Sequence, residues 1–205
     1  MKVIGVNGSP RADGNTYLTI QAFFDELQKE GIETELIHAG DGQISGCVCC
    51  RGCAGSGDCV ISDDKLREFS EKLLAADGVF LAAPVYFGTM PGQIKAFLDR
   101  FFFPCTQTGK MRHKVGASAA ILRRTGGYTT IDDLNRFFFS GEMIPVGHCI
   151  IHGNLTGEIL QDREGLHALK RTARNMAWVL KMMQATKAEI TPPPYEKRPF
   201  MNFIR

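Results

Sequence analysis

Lys2-Val3-Ile4-Gly5-Val6-Asn7-Gly8-Ser9-Pro10-Arg11-Ala12-Asp13-Gly14-Asn15-Thr16 holds an apolar run, a polar turn and the opening of a helical pattern within fifteen residues. Lys2 to Val6 reads as a short buried strand that ends at Asn7-Gly8. From Asn15 onward Tyr17, Ile20, Phe24 and Leu27 recur at spacings of three and four, which predicts a helix. The turn between them lies where a strand feeds a helix N-terminus, and unpaired backbone N–H groups there favour an anion. Ser9, Asn15 and Thr16 add side-chain donors and Arg11 adds a charge. The plainer alternative is a polar turn in which Asn15 or Asp13 caps the helix. Neither the Gly-x4-Gly-Lys-Ser/Thr loop of nucleotide hydrolases nor a Gly-x-Gly-x-x-Gly dinucleotide turn occurs. A Cys-x5-Arg phosphatase loop is also excluded, because the sixth residue beyond Cys59 is Lys65 and beyond Cys105 is Met111. A small phosphomonoester is the guest that remains.

Outward from that turn, strands and helices alternate. Gly31 stops the first helix, and Glu33 to Ile37 predicts a second strand. A helix is expected from about Asp63 to Ala75, a third strand over Gly78 to Ala83 closed by Pro84, and a helix over Gln93 to Phe102. Val115 to Leu122 predicts a fourth strand, Thr130 to Phe139 a helix, and Val146 to Ile151 a fifth strand. A last helix places Leu166, Leu169, Ala173, Met176, Leu180 and Met183 on one face. Such alternation implies an α/β domain with a parallel sheet covered on both sides. Ligands of such a sheet bind beyond the carboxyl ends of the strands, where the loops leaving Gly8, His38, Pro84 and Arg123 gather. Residues 1–190 read as one domain with a cysteine-rich insertion at 46–60. Residues 191–205 change character: three prolines favour an extended arm, and Phe200, Phe203 and Ile204 call for a packing partner on the same or a neighbouring subunit.

The composition narrows the function. Of 205 residues, 24 are Lys or Arg and 22 are Asp or Glu, a net charge of +2 that argues against a nucleic-acid or anionic-membrane partner. No apolar stretch approaches the ~18 residues of a membrane span, and the first residues are too polar for a signal peptide. A cytoplasmic protein is expected. In a reducing compartment, seven cysteines with five between Cys47 and Cys59 point to metal or redox chemistry rather than disulfides. Cys47, Cys50 and Cys53 are separated by two residues each, and Cys59 follows after five more. Three closely spaced thiolates and one more distant suit a cubane cluster and resemble the compact ferredoxin-type run. Reduced thiols or a zinc site are the alternatives, zinc fitting less well because structural sites usually pair two knuckles across a longer gap. Cys49 falls out of register; Cys105 and Cys149 read as small core residues. The five histidines are scattered and carry no assigned task.

Three motifs then become specific. Gly8-Ser9-Pro10-Arg11 with Gly14-Asn15-Thr16 resembles the phosphate loop of the NAD(P)H-dependent FMN reductase family, within the flavodoxin-like fold. Pro84-Val85-Tyr86-Phe87-Gly88 resembles the stretch that this family lays against the isoalloxazine ring, and Lys95 to Arg100 follows the family pattern. Arg124-Thr125-Gly126-Gly127-Tyr128-Thr129-Thr130 is similar to the loop that closes on the far side of the ring. The resemblance covers most of residues 1–150. With the cysteine run, it is similar to the iron–sulfur flavoprotein branch. It implies a three-layer sandwich with a five-stranded parallel sheet in the order 2-1-3-4-5, bound FMN, and a [4Fe–4S] cluster on Cys47, Cys50, Cys53 and Cys59. It further implies NAD(P)H as co-substrate, with chemistry on the flavin and no catalytic side chain. A quinone, flavin or other small molecule would accept the electrons; alternatively the protein is a non-catalytic carrier loaded by a ferredoxin-like partner. A homodimer or homotetramer is implied, as is a cluster sharing the carboxyl edge of the sheet with FMN.

Overall fold

A computed structural model describes residues 1–61 and 64–197. Five strands, β1 (Lys2–Asn7), β2 (Glu33–His38), β3 (Gly78–Pro84), β4 (Val115–Leu122) and β5 (Ile144–His152), form one sheet in the order β2-β1-β3-β4-β5. All four pairings are parallel. The helices are α1 (Asn15–Lys29), α2 (Leu66–Ala75), α3 (Gly92–Thr106), α4 (Gly127–Ser140) and α5 (Arg163–Thr186), with a 3₁₀ turn at Glu158–Gln161 before α5. This is the flavodoxin-like arrangement that the sequence resemblance implied.

Alternation along the inner strands divides the core. Ile4, Val6, Val79, Leu81 and Ala83 pack with residues of α2, α3 and α4, among them Phe69, Phe97, Phe101 and Phe138. Val3, Phe80 and Ala82 face the other way, onto Phe23, Phe24 and Leu27 of α1 and Leu169, Met176 and Leu180 of α5. Phe23 and Phe80 stack with ring centroids 3.8 Å apart. β4 is buried along its whole length and is built largely of Ala, Gly and Ser, small enough for both helical layers to approach.

The element ends depart from periodicity for local reasons. α3 runs through Pro104, which has no N–H to return to the Arg100 carbonyl; the helix continues because Phe101, Phe102 and Cys105 are all buried. β5 takes in Pro145, which an edge strand tolerates because one side of it has no partner to bond. α4 starts at Gly127 rather than Thr130. Asp64 accepts the Leu66 N–H at 3.1 Å at the start of α2; the expected first residue, Asp63, lies outside the described residues. Of the two triple-phenylalanine runs, Phe101, Phe102 and Phe138 enter the core, whereas Phe103 and Phe139 remain exposed. The start of the arm packs on its own chain. The Tyr195 hydroxyl donates to Gln107 O at 2.8 Å, and its ring lies 5.7 Å from the Arg112 guanidinium. Phe200, Phe203 and Ile204 lie outside the described residues.

Asp162 caps α5 by accepting the Gly165 N–H at 2.9 Å, and it also accepts the His152 N–H at 2.7 Å. Burial works against its charge, but these backbone donors prevail and hold its pKa below the ordinary value. Asp162→Ala is expected to destabilise the protein by about 1–2 kcal/mol near neutral pH. A depressed folded-state pKa contributes stability above the unfolded value and loses it as pH falls through the folded value. Urea melts of both proteins are therefore expected to differ at pH 7 and to converge as the pH is lowered through the Asp162 titration.

Candidate functional site

The turn after β1 is shaped by a side chain at the end of the strand. Asn7 is fully buried, and its carboxamide is satisfied only by the loop it precedes. Nδ2 donates to Arg11 O at 3.3 Å and Ala12 O at 3.2 Å, while Oδ1 accepts the Ser9 N–H at 3.0 Å. The Ser9 hydroxyl accepts the Arg11 N–H at 3.1 Å, and Gly8 N donates to Ala82 O at 2.8 Å. His38, which pairs in register with Asn7, places Nε2 2.7 Å from Ser9 O. Asn7 O in turn accepts the N–H groups of Ala39 and Gly40, each at 3.0 Å. The loop is thus gripped from the ends of both β1 and β2.

Gly14 caps α1 with no side-chain bond, so neither Asp13 nor Asn15 serves as the cap. The N–H groups of the first turn are left for an anion. Thr16 is buried and Arg11 is exposed at the rim. Asn15 is engaged elsewhere: Nδ2 donates to Leu155 O at 2.9 Å and Oδ1 accepts the Gly157 N–H at 2.8 Å. Glu158 draws the same segment tight by accepting the N–H groups of Asn154 and Leu155 at 2.7 and 2.8 Å. These backbone donors set its pKa below the ordinary carboxylate value. Asn15 therefore ties the loop after β5 to the mouth of the phosphate loop.

The other two loops meet beside it. Tyr86 and Thr89 exchange backbone bonds at 2.8 and 3.2 Å around Phe87 (φ 49°) and Gly88 (φ 90°), a two-residue turn with both central φ angles positive. Thr89 is anchored to Asp133 of α4. Gly126, the N-cap of α4, has φ 89°; a Cβ there would stand 2.7 Å from Gly88 Cα. Glycine is required at this crossing on both steric and conformational grounds. Pro84 and Val85 are half-buried below the turn, Gly127 is buried, and Thr125 is exposed. Tyr86 is partly exposed and Phe87 wholly so, presenting aromatic surface above the sheet edge. Arg123 and Arg124 are exposed on the same side. Glycine-permitted backbone contacts, an uncapped helix mouth and two aromatic rings on one edge suit a planar cofactor bearing one phosphate.

The cysteine run lies against α3. Cys47, Cys49, Cys50, Cys53 and Cys59 line one hollow of about 250 Å³ together with Asp99, Arg100, Phe103 and Pro104. Phe103 lies eleven residues beyond Gly92, roughly 16 Å along the axis of α3. The α3 residues that line the hollow fall in the second half of that helix. Burial raises the Cys53 pKa, and the nearby thiols of Cys59, Cys47 and Cys50 add to that rise. Cys47, Cys50, Cys53 and Cys59 all line this hollow. Cys49 has φ 55° and Arg51 φ 60°, so the backbone twists sharply on either side of Cys50. Among the described residues no three His, Cys, Asp or Glu side chains converge closely enough to hold a single ion. Cys47, Cys50, Cys53 and Cys59 share the hollow, a sulfur donor set whose chemistry suits an iron–sulfur centre.

One functional side chain here was only half legible. Arg100 reads from sequence only as the end of the Lys95–Arg100 stretch, and its target is the cysteine loop. Its side chain is fully buried. Nε donates to Cys59 Sγ at 3.4 Å, Nη1 donates to Ser45 O and Oγ at 3.1 and 3.0 Å, and Nη2 donates to Ile61 O at 3.0 Å. Asp64 supplies the counter-charge. Burial opposes the Arg100 charge, yet bonds to Asp64 and Cys59 keep its pKa above the ordinary value. Cys105 and Cys149 are buried, and burial lifts the Cys105 thiol to about 12. Both are unreactive core groups, as expected.

Asn7→Ala removes three bonds to the phosphate loop and leaves the strand intact. It is expected to weaken FMN binding by roughly tenfold or more, since hydrogen bonds of this kind contribute about 0.5–1.5 kcal/mol each. Fluorescence titration of FMN into apoprotein measures the change; an unaltered affinity would remove Asn7 from the binding machinery.

A model described as NADPH-dependent FMN reductase matches residues 1–156 of this chain. An iron–sulfur flavoprotein of Methanocaldococcus jannaschii is 37% identical over 194 residues, covering 90% of this chain and 100% of its own. Another, from Methanosarcina thermophila, is 32% identical over 190 residues, covering 91% and 99%. A flavone reductase superposes with a TM-score of 0.72 at 18% identity, over 90% of this chain and 64% of its own, a likeness of fold alone. Matched over three quarters of its length by the model and almost end to end by these relatives, the chain belongs to the NADPH-dependent FMN reductase family, in its iron–sulfur flavoprotein branch.

Proposed function

We propose that this protein is an FMN-dependent oxidoreductase that moves electrons from NAD(P)H to a quinone, a free flavin or another small acceptor, and that its Cys47–Cys59 loop holds a [4Fe–4S] cluster. The observation that carries the proposal is the pairing, in one chain, of an uncapped phosphate-loop helix with four thiols facing one hollow. Bound FMN would supply a hydride-accepting ring that exchanges one or two electrons. The backbone of Ser9 to Thr16 would hold its phosphate, with Arg11 adding charge at the rim. The turn at Val85 to Gly88 and the Thr125-Gly126-Gly127 loop would bracket the ring and bring backbone N–H groups close to it. Cys47, Cys50, Cys53 and Cys59 would hold the cluster. No side chain is asked to act as acid or base, because solvent exchanges the proton. Exposed Phe87, Tyr128 and Phe139 support a homodimer or homotetramer as the working unit. Among the described residues no helix is long and apolar enough to cross a membrane, which agrees with a cytoplasmic site of action.

The position of the cysteine hollow favours a second reading. Cys47, Cys49 and Cys50 are exposed, where a ferredoxin-like protein has access. In that case the chain is a carrier rather than an enzyme. Anaerobic steady-state assays separate the two. The enzyme reading expects NADH or NADPH to be consumed with a quinone or flavin as acceptor. A protein inert to both nucleotides yet rapidly bleached by reduced ferredoxin overturns it in favour of the carrier. Cys53→Ser is expected to lose iron and sulfide while retaining FMN, as measured by metal and flavin analysis.

A further inference from the structure

We propose that Arg100 is a positioning residue of the cysteine site, closing the loop around Cys59 and raising the reduction potential of the cluster held there. The inference rests on the cluster reading above and adds a role for residues outside the ligand set. Ser45 precedes the first cysteine of the run and Ile61 follows the last, so one guanidinium bonds both ends of the loop while its Nε–H points at Cys59 Sγ. The side chain is inaccessible to solvent and its counter-ion Asp64 is nearly so. A surface crosslink would need neither a buried charge nor a bond to sulfur. A lysine, a point charge without a planar fork, would not make these bonds together.

The electrostatic consequence has a definite sign. One-electron reduction of a cluster adds one negative charge and neither forms nor breaks a bond. A buried cation and an N–H···S bond both stabilise the reduced form, and such bonds are among the determinants of cluster potential. Asp64 opposes this effect by partly cancelling the Arg100 charge. The two partners should therefore move the potential in opposite directions.

The test is a dithionite titration of the anaerobically reconstituted full chain and its Arg100→Gln, Arg100→Lys and Asp64→Asn variants, with iron and FMN content measured for each. Arg100→Gln is expected to lower the cluster midpoint by an amount equivalent to about tenfold in the one-electron equilibrium, ~59 mV. Arg100→Lys is expected to recover part of that loss, and Asp64→Asn to raise the midpoint. The FMN midpoint, read in the same titration, is expected to move less than the cluster midpoint, because the bonds of Arg100 go to the cysteine loop and none reaches the FMN loops. If Arg100→Gln does not fold, the upward shift in Asp64→Asn carries the test. Iron-loaded variants that all share the wild-type midpoint overturn the role given to Arg100 and leave the cluster standing. Wild-type protein that takes up FMN but no iron contradicts the underlying cluster reading instead.

Discussion

The inner strands β1, β3 and β4 are buried on both faces, and the placement of the phosphate loop and its neighbours follows from that constraint. Helices must cover each face, so every strand exits at the same edge and every helix N-terminus returns there. Three loops meet on that edge because β1, β3 and β4 are neighbours in the sheet. Asn7 shows how the sheet governs the site. A buried carboxamide at the end of β1, an inner strand, has no water to satisfy it, and the bonds it makes instead fix the path of the phosphate loop. Burial in the core is thereby converted into shape at the surface.

The cysteine loop solves a different problem. It carries two non-glycine residues with positive φ and has little apolar core of its own. Its attachment comes from outside: Arg100 bonds its two ends, and Lys110 donates to Asp58 at 3.2 Å. A buried cation is costly without partners, and the partners here are the loop carbonyls, Asp64 and one sulfur. Both ends of the cysteine loop are thereby held against α3.

The layout of the fold was largely legible in the sequence because periodicity reports burial, and burial in a two-faced sheet is simple. Five strands and their order followed from apolar runs and a motif match. Boundaries were less legible where one residue opposes the local rule: Pro104 inside α3, Pro145 within β5. The phosphate loop was legible as a loop, but its construction was not. Asn7 read as the end of a strand and Asn15 as a donor or a cap, since nothing in the spacing announces the tether to Leu155 and Gly157. A polar residue closing an apolar run was the available signal for Asn7, and His38 occupies the equivalent position on β2. The cysteine spacing named four thiols that line one hollow. What the spacing did not announce was the buried Arg100 that bonds both ends of their loop, because that contact is set by tertiary packing.

The central claim is that one chain carries two redox centres, one on the sheet edge and one on the flank of α3. The most direct measurement is elemental and cofactor analysis of anaerobically purified wild-type protein, joined to electron paramagnetic resonance after reduction. The account predicts FMN, iron and sulfide near 1:4:4 per chain, about the content of one flavin and one cubane cluster, with an iron–sulfur signal on reduction. Yellow protein with a full complement of FMN, no iron and no such signal would contradict it.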